Sequence, residues 1–474
     1  EVRAWPLRVE RAVTSSSGAQ LRGLPAGDEA SVASGVLRYD RRRGRVDVGP
    51  LTVRVGAAGA APAAVLRCEA SVAPGAAWRL EAGVTAQSAS AAVLMRVASA
   101  LGMAPQHAWA AAGWQVEGSA DLRLRWQGTL LPFAVEPLGS VRLRNAALRS
   151  PALPEPVLLS SAAIELTPAE KRVTLQSARV FGAAWSGTLR QRPDQPWEAT
   201  LSTDALDVLA VHDTLAPQLQ PAGFLQRLAP GRSSVPSLLD ALPELQVRGQ
   251  VRIGQLRFHS LLLGQFQSDF VLGFSAPWSL QLSNASAAFF GGSIAGSFHA
   301  RAAEGSDAPR AQYRAELRWR GVNLAALTAG TPRLRGYFNG SADGSLILTA
   351  TGTTQTALLD SLAGEGTLEV RQGVLNVLNL AAAQRGTTPF ARAAGRFQVA
   401  QRNLRFEELQ LFARSARLSA PDWRVRGTAD LSGSATVLDM QLYPRGEESL
   451  RRGFALRGPL DAIEISPMAE GKAP

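Results

Sequence analysis

LQLSNASAAFFGGSIAGSF, residues Leu280 to Phe298, decides the architecture: apolar side chains recur at alternate positions on both sides of an aromatic-glycine turn, with one break at Asn284. Led by Trp278, Leu280 and Leu282 mark one arm; Ile294 and Phe298 mark the other, beyond Phe290-Gly291-Gly292. Successive side chains of a strand point to opposite faces, so a period of two predicts half-buried strands rather than helix. The alternation recurs outward at Leu122, Leu124, Trp126; Val251, Ile253; Tyr313, Ala315, Leu317, Trp319; Leu346, Leu348; Leu368, Val370; and Phe454, Leu456. Polar or charged residues fill most intervening positions, which predicts one apolar and one wet face per strand.

The turn also belongs to a repeat. Phe181-Gly182-Ala183-Ala184-Trp185-Ser186-Gly187 is echoed by Phe290-Gly291-Gly292-Ser293-Ile294-Ala295-Gly296. An aromatic-led strand follows each copy (Trp197, Ala199, Leu201; Tyr313, Ala315, Leu317), and then a short apolar segment, Leu206 to Ala210 or Val322 to Ala325. Duplication of a β-unit explains the echo. At 474 residues the chain exceeds the usual domain length of about 100 to 200 residues. The Pro- and Gly-rich stretch Leu228 to Pro236 is the best break, with a second near Phe133 to Gly139. The expected organisation is an N-terminal β-rich segment with a helical insertion (1–135), a first β-unit (136–232), and a second β-unit with the C-terminal region (233–474). Helical spacing is confined to Ser88–Leu101, Leu206–Leu219, Ser234–Leu242, Thr354–Ala363 and Asn376–Ala383. In the fourth, Thr353 or Thr354 is the expected cap and Gly364 the expected stop.

Chemistry is harder to find. Net charge is +11, but the arginines are spread singly along alternating segments, such as Arg123, Arg125, Arg318 and Arg320. Only Arg41-Arg42-Arg43 forms a run, so the excess reads as the solvated face of strands and no nucleic-acid partner is expected. Cys68 is the only cysteine, which excludes an internal disulfide and a cysteine metal site. The four histidines, His107, His212, His259 and His299, have no second ligand at metal spacing. No GxSxG elbow, HExxH helix or P-loop is present. A non-enzymatic protein without cofactor or metal is expected. The long stretch free of Asp, Glu, Lys and Arg, Phe270 to Ala300, is interrupted by Pro277, Gly291 and Gly292 and does not read as a membrane helix. The chain starts at Glu1 with no secretory signal, and is read as a trimmed product that has lost an anchor.

Four segments carry a resemblance. Leu280 to Phe298 is one; Leu362 to Leu380, LAGEGTLEVRQGVLNVLNL, is similar to a Leu-x-Gly-x-Gly-x-Leu-x-Val-x-x-Gly signature; Gly139 to Leu175 and Gly453 to Pro467, GFALRGPLDAIEISP, complete the order. Together they resemble the C-terminal region of the AsmA-like family of bridge-like lipid-transfer proteins. The resemblance implies a periplasmic β-groove, anchored to the inner membrane in the full-length protein, that passes phospholipid between inner and outer membranes and supports outer-membrane biogenesis. It also implies contact with the outer membrane or with envelope proteins.

The expected fold is mainly β: an elongated, twisted antiparallel β-groove of repeating β-units with a few short accessory helices. Strands stack at about 4.8 Å, so about 25 of them would extend about 120 Å. Candidate groove-facing residues are Leu280, Leu282, Ile294, Phe298, Leu317, Trp319, Leu346, Leu348, Leu368 and Val370. Burial on such a face is worth about 0.8 kcal/mol per acyl CH₂ while the head group stays in water. The alternatives are a structural or adhesion β-sandwich, in which the same faces pack on each other, and, less compatible with the recurrent arginines, an outer-membrane barrel.

Overall fold

A computed structural model describes residues 11–12, 28–34, 36–57, 61–75, 78–100, 114–130, 133–150, 153, 155–215, 246–258, 261–273, 278–302, 311–329, 334–352, 354–380, 382, 384–413, 422–430, 436–444, 453–459 and 462–468. The protein is mainly β, with open, twisted antiparallel pairing and few short helices. It divides into two compact units, Glu1–Thr203 with Gly223–Arg248, and Asp204–Ala222 with Gly249–Pro474.

The first unit contains β1 (Arg11–Ala12), β2 (Asp28–Ser34), β3 (Val36–Asp40), β4 (Arg45–Ala57), β5 (Ala64–Ala73), β6 (Arg79–Ser90), β7 (Gln115–Leu130), β8 (Phe133–Arg149), β9 (Val157–Leu166), β10 (Lys171–Val180), β11 (Ala183–Gln191) and most of β12 (Trp197–Asp207). From β4 onward each strand pairs antiparallel with its successor, while β2 and β3 share β4 as partner. Helix α1 (Ala91–Ala100) joins β6 to β7, and α2 (Val208–Leu215) follows β12.

The second unit contains most of β13 (Gln246–Phe258), then β14 (Leu261–Gly273), β15 (Ser279–Phe289), β16 (Gly292–Ala302), β17 (Ala311–Asn323), β18 (Phe338–Thr351), β19 (Ala363–Leu375), β20 (Thr388–Ala400), β21 (Asn403–Ala413), β22 (Trp423–Asp430), β23 (Val437–Pro444), β24 (Phe454–Pro459) and β25 (Glu464–Pro467). From β14 to β25 every strand again pairs antiparallel with the next, and no described pairing returns β25 to the start. Short helices α3 (Leu324–Ala329) and α4 (Gln355–Ser361) interrupt the meander.

The sequence repeat is a conformational repeat. Phe181-Gly182 and Phe290-Gly291 are both two-residue hairpin turns with positive φ at both positions, 53° and 71° in one and 42° and 80° in the other. That backbone matches strand twist but is costly for phenylalanine, so each turn places its glycine second. At the end of the second strand after each turn, Asp207 Oδ1 accepts the Leu209 N–H and Asn323 Oδ1 accepts the Ala326 N–H, opening α2 and α3 at equivalent positions.

Three expected helices form, at α1, α2 and α4, the last with Thr354 Oγ1 accepting the Ala357 N–H at 3.2 Å. Gly364 does not stop α4; the helix ends before an extended Leu362, and Gly364 lies inside β19. The described residues of the expected helix at Asn376–Ala383 are not helical. Asn379 instead pairs with Gln384 across a loop, its N–H donating to the Gln384 carbonyl at 2.8 Å, because Leu378 and Leu380 turn inward against the sheet. Ser234–Leu242 and the break at Leu228–Pro236 lie outside the described residues, and Phe133 to Gly139 runs within β8.

Bulges bend the strands. In the second unit, register shifts fall between Leu282 and Ala285, between Trp319 and Val322, and between Asn339 and Ser341. Each adds a residue to one strand, increasing local twist and kinking the sheet.

Candidate functional site

Register places all ten candidate residues on one face of the second unit. Leu280 and Leu282 of β15 stand opposite Ala300 and Phe298 of β16. Ile294 pairs with Trp319, and Phe298 with Ala315, in β17; Leu317 pairs with Leu346, and Ala315 with Leu348, in β18. Gly344 and Ala342 carry the face to Leu368 and Val370 of β19. The face continues past the residues picked from sequence, through Phe397 and Val399 of β20 to Leu404, Phe406 and Leu409 of β21. The alternations Phe397-Gln398-Val399 and Leu404-Arg405-Phe406 are the signal by which these could have been found.

Burial splits this face in two. Val370 is sealed, at 4% exposure, and Trp319 and Leu368 lean on the same core. The other seven candidates are half-buried, although they are large side chains within strands. A second sheet packed at about 10 Å would cover such residues, as in a sandwich. Among the described residues, only short connections lie over this face.

Those connections gather at one margin. Leu324 and Leu327 of α3, Leu334 and Tyr337 of the following turn, and Val377, Leu378 and Leu380 of the β19–β20 loop pack with Val322, Ala342, Val370 and Phe390. Asn376 fastens the loop, its N–H donating to the Tyr337 carbonyl at 2.9 Å and its side-chain amide to the Gly336 carbonyl at 2.7 Å. Toward β24 the same core closes around Trp423, Leu442 and Phe454, the two rings 5.2 Å apart.

Glycines make the face smooth. A Cβ on Gly344 would run into the indole of Trp319, and one on Gly366 would come within 2.5 Å of the Phe397 ring. Both rings therefore lie over a neighbouring strand's backbone rather than standing upright, and Phe397 continues sideways to Phe406 at 6.4 Å. Tyr313 is a polar group on this face, beside Phe298 at 6.2 Å, and burial pushes its phenol above the ordinary range.

The opposite face is wet and ionic. Glu369 accepts from Arg371 Nε at 2.9 Å and from Arg392 Nε at 3.1 Å, and these bonds, Arg371 first, hold its carboxyl below the usual range. Arg371 also reaches Asp343 at 3.4 Å. A shallow cavity here is lined by Asp343, Thr367, Glu369, Arg396, Glu408 and Arg426. Its carboxylates brace neighbouring strands: Asp343 of β18 accepts the Gly321 N–H of β17 at 2.7 Å, and Glu408 of β21 pairs with Arg424 of β22 at 3.5 Å. Among the described residues no cluster of His, Cys, Asp and Glu could hold a metal ion, and no helix is long and apolar enough to cross a membrane.

The first unit repeats the two-faced pattern. Val48, Val53 and Val55 of β4 face Ala70, Leu66 and Ala64 of β5, and Val84 faces Leu124 across β6 and β7. Val93 of α1 covers Val55, Leu66 and Ala86. Cys68 lies on this apolar face, and burial pushes its thiol up, which suits an inert packing residue. Comparison with protein families, with curated proteins and with solved structures finds no match.

Proposed function

We propose that the chain is a non-enzymatic lipid-holding protein of AsmA-like type, whose apolar sheet face takes up phospholipid acyl chains and passes them between the inner and outer membranes. One observation carries the reading: large aliphatic and aromatic side chains remain half-buried along an apolar face that has no second sheet over it among the described residues. Contiguous apolar surface of this kind marks a binding site, and acyl chains are an occupant that needs no polar contacts along its length. The glycine floor supports the same reading, since flattened rings offer a flexible chain an even surface. A periplasmic location, with an inner-membrane anchor in the full-length protein, belongs to this proposal through the resemblance of the β15–β16 and β19 segments.

The test is native mass spectrometry of gently purified protein, with organic extraction of whatever stays bound, repeated on Leu348→Asp and Ile294→Asp. Co-purifying phospholipid that falls severalfold in both variants, with the β-sheet circular dichroism retained, is the expected result. Unchanged lipid loading in folded variants would refute the groove. Collapse of the fold in both would instead mean that these positions are core, since an unpaired buried carboxylate is not tolerated there.

A further inference from the structure

Building on the groove reading, we infer that acyl chains lie across the strands of the second unit, with the methyl end stopped at β22 and the polar end toward β16. Antiparallel register lines up one row of positions on the apolar face, one from each strand of β16 to β21: Gly296, Leu317, Leu346, Gly366, Phe397 and Phe406. All six are half-buried. Alongside this row Trp319 and Leu368 lean on the sealed α3 core, so a chain cannot turn along the strands in that direction. Ahead of it the face closes. Phe406 stands opposite Gly427 of β22, whose neighbours on the face, Val425 and Ala429, are buried, and Val425 leads in register to Leu442 and Phe454, at 2% and 4% exposure. Ring geometry shows how the closure is made. Strands β22 and β24 are two steps apart, about 10 Å, yet the Trp423 and Phe454 rings are 5.2 Å apart, so side chains converge over β23. Phe397 and Phe406 are direct partners one step apart, about 4.8 Å, yet their rings are 6.4 Å apart, so there they spread. A methyl end reaching β21 meets hydrocarbon beneath it and ahead of it, whereas a polar end driven there would be buried without a partner. Length fits as well: β21 to β18 is three strand steps, about 14 Å, and one acyl chain spans about half of the roughly 30 Å bilayer hydrocarbon core.

Two measurements test this. Fatty acids of 16 carbons with a photoreactive diazirine near the methyl end, or near the carboxyl, would be bound, irradiated and mapped by peptide mass spectrometry. The methyl-end probe is expected to label β21 and β22, and the carboxyl-side probe β17 and β18. Reversed or identical maps, or labels confined to a single strand, overturn the orientation and leave the groove standing; labelling by neither probe overturns both. The second measurement compares binding of 16-carbon and 10-carbon fatty acids to variants whose circular dichroism is unchanged. Phe406→Asp, at the stopped end, is expected to weaken both by about fivefold or more. Leu346→Asp, three strands back, is expected to weaken the 16-carbon chain by about fivefold or more and the 10-carbon chain by less than about twofold, because the shorter chain seated at β22 does not reach it. Equal losses of both chains in Leu346→Asp overturn the fixed methyl end.

Discussion

The two margins of the second unit's apolar face are made of the same residue types but do opposite things. At one, Val322, Val370 and Phe390 are buried with Leu324 and Leu327 of α3 and with Leu378 and Leu380 of the β19–β20 loop; at the other, Leu280, Phe298, Leu317 and Leu348 keep part of their surface in water. Composition does not distinguish them. What differs among the described residues is whether a connection turns its leucines onto the face: Leu324, Leu327, Leu378 and Leu380 do so at one end, while Gln401-Arg402 at the opposite end only reverses the chain. Burial is therefore concentrated at one side of the face, and half-buried apolar surface is left at the other.

The sharpest way to break this contrast is truncation at each margin. Leu442→Ala, at 2% exposure in the sealed core, is expected to cost about 2 to 5 kcal/mol in denaturant unfolding, because the cavity left behind cannot fill. Leu348→Ala should cost about 1 kcal/mol, since its side chain is already partly hydrated, yet should lower lipid retention. Equal losses would mean that the margins do not differ. Between these lies Gly344→Ala, expected to cost about 1 to 3 kcal/mol and to shift the Trp319 fluorescence by forcing the indole off its shelf. The smallest effect concerns the wet face. Glu369 should titrate below the ordinary carboxylate value of about 4.3 in a carboxyl-resolved NMR titration. The sign follows from its lowered folded-state pKa: its contribution is present above the unfolded value and lost as pH falls through the folded one. Because the group is solvent-exposed, that contribution is small. Arg392→Gln should move the titration back up.

Much of the face was legible because a strand's parity is fixed: once Leu346, Leu348 and Leu368 alternate with polar neighbours, each set must share a side. The helix expected at Asn376–Ala383 was not legible, because its Leu-Asn-Leu-Ala spacing fits a helix turn as well as a loop whose two leucines dip into a core. The bulges were equally hidden. Trp319 and Val322 are three apart yet lie on one face, since an inserted residue resets the parity that a simple count assumes. Gly364 reads as a helix stop, but it sits within β19, where an added Cβ would meet the Ile347 carbonyl and the Leu348 side chain of the neighbouring strand.

By itself the sequence determined the strand-rich fold, the division of each strand into an apolar and a wet side, the hairpin repeat, and the ten residues that end on one face, because all of these follow from local periodicity and turn chemistry. Only the tertiary structure decided which of those ten are sealed and which stay half-open, because covering a face depends on loops that return from distant connections, and no local pattern encodes where they land.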